Sequence, residues 1–193
     1  MTASVQRVQK PTDNPTGPSA GGIRRLIGVG AVGAAVALAV GVYGRSHVPT
    51  GVTIAPLRPS QMLGFKSALA TMGAALAIGQ LASAAWLYGR IGRGRVPRWV
   101  GPAHRWLGTA AFVVTLPVAY HCLWSLGFQT TTPRVLIHSL LGCAFYGAFA
   151  TKLLMLRASR VPAWAVPLVG GALVALLVGL WFSSALWFFT LVG

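Results

Sequence analysis

Five stretches of this chain, roughly 23–43, 63–88, 103–127, 134–156 and 163–191, are predominantly apolar over about twenty residues or more. A helix needs about 20 such residues to cross the hydrocarbon of a bilayer. In lipid, every backbone N–H and C=O must find its partner within the protein, which a helix achieves by itself. The sequence therefore predicts an all-α fold: an integral membrane bundle of five transmembrane helices occupying residues 22–193. The polar, proline-rich start "MTASVQRVQKPTDNPTGPSA" has too little apolar surface to offset the entropy of ordering, and residues 1–21 read as a disordered cytoplasmic tail. The apolar run after it is long enough to stay in the membrane as an anchor rather than be cleaved as a signal.

Charge sets the orientation and excludes several functions. Only 9% of the 193 residues are charged, with 16 Lys and Arg against one acid, Asp13; a soluble domain carries about 25%. The cations punctuate apolar runs instead of decorating a soluble surface, so they speak for anionic headgroups and not for nucleic acid. With the N-terminus inside, the inner flanks hold 12 of the cations and the outer flanks four: Arg45, Arg58, Lys66 and Arg134. This asymmetry favours an N-inside, C-outside, multi-pass protein of the cell (plasma) membrane. No acid lies in any membrane segment, which argues against proton pumps and ion-coupled transporters that carry protons or cations on Asp or Glu. Neither a Gly-x-Ser-x-Gly elbow, a His-Glu-x-x-His pair nor a phosphate loop is present.

What remains is a set of histidines. "AYHCLWSLGFQTTTPRVLIHSLLG", residues 119–142, places His121 and His138 in apolar segments on either side of a short polar turn. Their midpoint falls inside the turn. If the segment is a regular antiparallel hairpin, each imidazole sits about 13 Å along its own helix, and the two share one depth in the outer leaflet. Polar groups at membrane depth need partners and mark functional sites by default. Two neutral imidazoles at matched depth suit the iron of a b-type haem, ligated axially from both sides. Ala119 and Gly142 leave room for a flat macrocycle, and Tyr120, Trp124 and Phe145 are placed to line its edges. The competing reading is that each histidine bonds a carbonyl or hydroxyl across a helix interface. A zinc or copper site needs more strong ligands than converge here. Cys122 and Cys143 lie at different depths and read as small buried hydrophobes.

The other two histidines are less placed. His104 lies about 100° round the third helix from His121, and its counterpart across the hairpin is Met155, a conceivable axial ligand for a second, inner haem. The same rotation turns 104 and 155 away from each other, and His104, between Pro102 and Arg105, also reads as an interfacial residue. His47, in the loop after the first helix, is a spare donor on the outer side. One internal echo connects two of the four: His-x-x-Leu-Gly-x-Ala begins at 104 ("HRWLGTAAF"), and "HSLLGCAFY" repeats it from 138. Pro117 in the third helix is expected to kink it.

At "PAHRWLGTAAFVVTLPVAYHCLW" and "RVLIHSLLGCAFYGAFATKLLMLR" the chain resembles an uncharacterised family of five-helix actinobacterial membrane proteins. More distantly, through the His-x-x-x-Gly patterns at 104–108 and 138–142 and through His121, it is similar to transmembrane b-type cytochromes of the ferric-reductase and ascorbate-reducing kind. The second resemblance implies haem b held by intramembrane histidines. It also implies electron exchange with a quinone or with an external redox protein, a Rieske or c-type carrier. Those cytochromes use four intramembrane histidines for two haems, and this chain has three.

The expected function is thus a haem b-binding electron-transfer protein with His121 and His138 as iron ligands near the outer face. It would be an electron carrier or a subunit of an oxidoreductase. The alternative is a haem-free structural or assembly subunit of a larger membrane complex, packing through its Gly- and Ala-rich helices.

Overall fold

The computed structural model describes residues 20–53, 58–92 and 94–191; the expected N-terminal tail, apart from Ala20 and Gly21, lies outside them. Five helices account for nearly all of this: α1 (Ala20–Ser46), α2 (Pro59–Leu87), α3 (Val100–Leu126), α4 (Pro133–Arg157) and α5 (Ala165–Leu191). Each is long and apolar enough to cross a membrane, and no strand occurs among the described residues. The chain is a multi-pass membrane protein. Its periphery is apolar, as lipid contact demands: Ile27, Leu38, Ile78, Leu156 and Leu168 are all more than 60% exposed. One end of the bundle, where α1, α3 and α5 begin, carries Arg24, Arg25, Arg90, Arg95, Arg98, Arg105, Arg157 and Arg160, and is here called the basic end. The opposite one is the loop end.

The helices pack in the order α3–α2–α5–α4–α1. This differs from a regular hairpin of α3 on α4. Although consecutive and antiparallel, these two do not pack backbone against backbone; each has a better partner, α2 for α3, and α5 and α1 for α4. Side chains bridge the gap between them. Phe112 stacks on Phe149 with ring centroids 3.8 Å apart, and Tyr146 Oη lies 3.2 Å from Thr115 Oγ1. Thr115 sends its own proton to the Phe112 carbonyl, 2.7 Å away, so Tyr146 is the donor. Together with the buried cluster Ala77, Phe145, Leu173 and Leu177, these rings divide the α3–α4 gap into two cavities, one towards each end.

Where α1 meets α4 the backbones themselves touch, because glycine replaces side chains on both sides. A Cβ on Gly147 would lie 2.5 Å from the Gly33 carbonyl oxygen and 2.8 Å from the Ala37 Cβ. Small residues at a membrane helix interface trade side-chain volume for close dispersion contact along the backbone.

Two of the helices change pitch near the loop end. Residues His121–Leu126 of α3 and Phe182–Leu186 of α5 are π-helical. In α3 the wide turn follows Pro117, whose missing N–H has already interrupted the ladder. The carbonyls left at the end of α3 are capped by the loop after α1. Trp124 O accepts Thr50 N at 3.3 Å and His47 Nε2 at 2.8 Å, while Ser125 O accepts Gly51 N at 3.1 Å. Gly127, at φ 70°, then turns the chain out of the helix.

Gly147→Leu should push α1 off α4, because the clash is with backbone that cannot rotate away. We expect a loss of about 1–3 kcal/mol, the usual cost of overpacking, seen as a lowered Tm in detergent with faster amide exchange along α1. Gly142→Ala is the control. Its Cβ would meet no atom within 4 Å, and Tm should be unchanged.

Candidate functional site

The larger cavity, about 490 Å³, lies towards the loop end between α3, α4 and Val40 of α1. Its walls include Tyr120, Cys122, Leu123, His138, Gly142, Cys143 and Tyr146. Glycine at 142 adds open space to it, since a Cβ there would touch nothing. Both cysteines face this one cavity despite their separation along the helices, and both are free thiols.

His138 is held from behind. Its Nδ1 lies 2.9 Å from Ser183 Oγ, on the π-helical turn of α5. The Ser183 hydroxyl is itself 2.9 Å from the Gly179 carbonyl and 3.1 Å from that of Leu180, so its proton is committed to its own helix. Towards His138 the serine oxygen is therefore an acceptor. This network assigns the proton to Nδ1 and leaves the Nε2 lone pair without a competing proton. Arg134 fixes the same turn from the other side. One guanidinium nitrogen donates to the Ser183 carbonyl at 2.6 Å, and the guanidinium lies 3.9 Å from the Trp187 ring centroid.

His121 is only 5% exposed, yet it does not line this cavity; Cys122 does. Its Nδ1 is 3.3 Å from Lys66 Nζ on α2. Lys66 was expected among the outer flank charges. It lies instead some two turns into α2, half-buried beside His121. Ser125, one turn on from His121, is buried, and its hydroxyl has no partner among the described residues.

His104 belongs to the other cavity. This second space, about 290 Å³, lies towards the basic end between α2, α3, α4 and α5. His104 Nδ1 is 2.9 Å from Ser83 Oγ, and that hydroxyl is 3.0 Å from the Gln80 carbonyl. The arrangement repeats that of His138: a serine on the neighbouring helix accepts Nδ1–H, leaving the Nε2 lone pair. The two histidines that open the sequence echo thus receive the same support, one in each cavity. Gln80 Nε2 also donates to the His104 carbonyl. Met155 is buried but lines neither cavity, so it does not face His104. His47 is not a spare ligand either. Its Nε2 is spent on the Trp124 carbonyl, and its ring stacks on Tyr43 with centroids 5.2 Å apart.

The structure therefore brings His138 and Gly142 to one wall, sets His121 just behind it, and separates His104 from all three. Ser83, Ser183, Lys66 and Lys152 are the polar residues that sequence reasoning missed as site components. No group of three or more His, Cys, Asp or Glu is arranged to hold a metal among the described residues.

Comparison with known proteins is narrow. No curated protein and no solved structure matches the chain. Over residues 26–193, essentially the whole helical part, it matches the model of one family, and on that ground the chain belongs to the family of unknown function DUF6529.

Proposed function

We propose that this chain is a haem b-binding electron-transfer protein of the plasma membrane, with its haem in the larger cavity and its loop end facing outward. The observation that carries this reading is His138: an imidazole that lines a 490 Å³ space, with its Nδ1 proton spent on Ser183 and its Nε2 lone pair uncommitted. A histidine that ligates a metal needs this tautomer, and a second group holding Nδ1–H fixes the ring and raises its basicity. Apart from His138, Gln129, Ser139 and the two cysteines, the cavity walls are apolar or aromatic, as suits a tetrapyrrole. Gly142 removes a side chain where the macrocycle would lie.

His121 is proposed as the second ligand. It can offer Nε2 only when Nδ1 carries the proton, so Lys66, whose ammonium only donates, must then turn away from it. A haem brings two carboxylates, and the only acid in the whole chain is Asp13. Lys66 is a cation inside the bundle that could meet one of them. When bound, haem supplies a one-electron Fe(III)/Fe(II) couple. The protein's part is to hold and orient it, to exclude water with the rings of Tyr120 and Tyr146, and to set its potential through Ser183. The 12-to-4 distribution of cations supports an outward-facing loop end. There a quinone in the outer leaflet or a Rieske or c-type carrier would exchange electrons with it. The chain is then an electron carrier or an oxidoreductase subunit.

An absorption spectrum of the purified, dithionite-reduced protein tests this. We expect a sharp b-type α-band, abolished by His138→Ala and by His121→Ala, and kept in Lys66→Met, which removes the competitor for Nδ1 and one partner for a carboxylate but neither iron ligand. A colourless preparation from haem-replete cells overturns the reading and favours a haem-free structural or assembly subunit.

Ser183→Ala should weaken haem retention about 10- to 100-fold, the usual cost of losing a group that orients a metal ligand. The measurement is haem transfer to apomyoglobin, and Ser184→Ala, whose hydroxyl bonds only the Leu180 carbonyl, serves as control.

A further inference from the structure

The smaller cavity has a chemistry of its own. Its deep walls are apolar, formed by Phe112, Phe145, Phe149, Leu173 and Leu177, while His104, Arg105 and Lys152 gather towards the basic end. Lys152 lies on α4 within the bundle and is half-buried, and its ammonium makes no hydrogen bond among the described residues. The Arg105 guanidinium makes none either. No acid exists among the described residues to neutralise them, since the chain's one acid is Asp13. A cation drawn into a low-dielectric space without a counter-charge is costly. The described residues hold no anion to compensate it.

Three features describe an anion that would compensate it. The cavity opens sideways between α3 and α4, past the exposed Thr109, Leu153 and Leu156, so its occupant enters from the bilayer. The apolar depth calls for a hydrocarbon tail, and 290 Å³ is at the small end of ligand pockets. Finally, His104, with Nδ1–H held by Ser83, presents an acceptor nitrogen and not a second cation. An acceptor beside two cations suits a head that carries both a negative charge and a hydroxyl donor.

We propose that the cavity at the basic end is a binding site for an anionic phospholipid with a hydroxyl-bearing headgroup. Lys152 and Arg105 hold the phosphate, His104 Nε2 accepts a headgroup hydroxyl, and one acyl chain lies along Phe112 and Phe149. Basic pockets between transmembrane helices are established sites for such headgroups. The proposal concerns the cavity that the haem reading does not use, and stands if that reading fails.

The test is native mass spectrometry of the full chain released from detergent, titrated with phosphatidylglycerol, phosphatidate and phosphatidylcholine. Phosphatidylglycerol should be retained as a single tight adduct, phosphatidate more weakly for want of the hydroxyl, and phosphatidylcholine not above background. Lys152→Met and Arg105→Gln should each weaken the phosphatidylglycerol adduct about fivefold, the equivalent of about 1 kcal/mol per cation. His104→Phe should erase the preference over phosphatidate while leaving phosphatidate itself bound. Arg105 is exposed, so its variant keeps the test informative if Lys152→Met fails to fold. Equal retention of phosphatidylcholine, or an adduct unchanged in both cation variants, overturns the proposal. So does a pyridine haemochrome assay giving two haems per chain with one lost in His104→Phe, because the cavity would then hold a tetrapyrrole.

Discussion

A polar side chain inside a membrane bundle is tolerable only when something satisfies it, and in this protein that something is repeatedly a serine or threonine hydroxyl whose own proton is already spent on its helix. Ser183 and Ser83 each return their proton to a carbonyl three or four residues back and so are left as pure acceptors. The consequence passes directly to the imidazoles. An acceptor at Nδ1 dictates the tautomer, and the tautomer dictates that Nε2 is a lone pair and not a donor. Two hydroxyls thus decide what two histidines can bind. Thr115 works the same way on Tyr146, pinning the ring that separates the cavities.

Backbone geometry at the loop end belongs to the same logic. Ser183 and His121 both lie on π-helical turns, where one extra residue per turn shifts a side chain round the helix. In α3 the shift follows Pro117, and the carbonyls it exposes are capped by His47, Thr50 and Gly51 from the far side of α1. The aromatic group of Tyr43, His47, Trp124 and Tyr120 seals this capped end. A histidine that looks available in the sequence is therefore a structural clamp.

The five helices are legible in the sequence because the bilayer imposes a length and a polarity that no other element meets. The partners of the histidines are not, because they depend on which helices are neighbours. Antiparallel succession across a short turn suggests α3 against α4, and that would put His121 and His138 level across one seam. The helices have other partners, the seam opens into two cavities, and His121 turns to Lys66 on α2. Lys66 and Lys152 illustrate a second limit. Counted by position they are flank charges that set topology; only the fold shows that both point into the bundle. The one sequence signal that reached past this was the echo beginning at His104 and His138. It marks two positions that receive identical support from neighbouring serines, though nothing in the echo itself names Ser83 or Ser183.

The scarcity of acids then acquires a structural meaning. In most proteins a buried lysine is neutralised by a carboxylate on a neighbouring element. Here Lys152 and Arg105 line the smaller cavity and Lys66 lies beside His121, with no carboxylate to meet them among the described residues, while Arg134 is absorbed by a carbonyl and a tryptophan ring. Each cavity has one acceptor imidazole and a cation without a carboxylate nearby, and the occupants proposed for the two are themselves anionic and largely apolar. Size separates the two: the space beside His138 is the larger by some 200 Å³ and is widened further by Gly142, whereas at the equivalent echo position Gly108 is filled by the Gln80 side chain. The same imidazole geometry thus sits before a broad slot at one end and a narrow one at the other, and it is the filling of the echo glycine, not the histidine, that differentiates the two spaces.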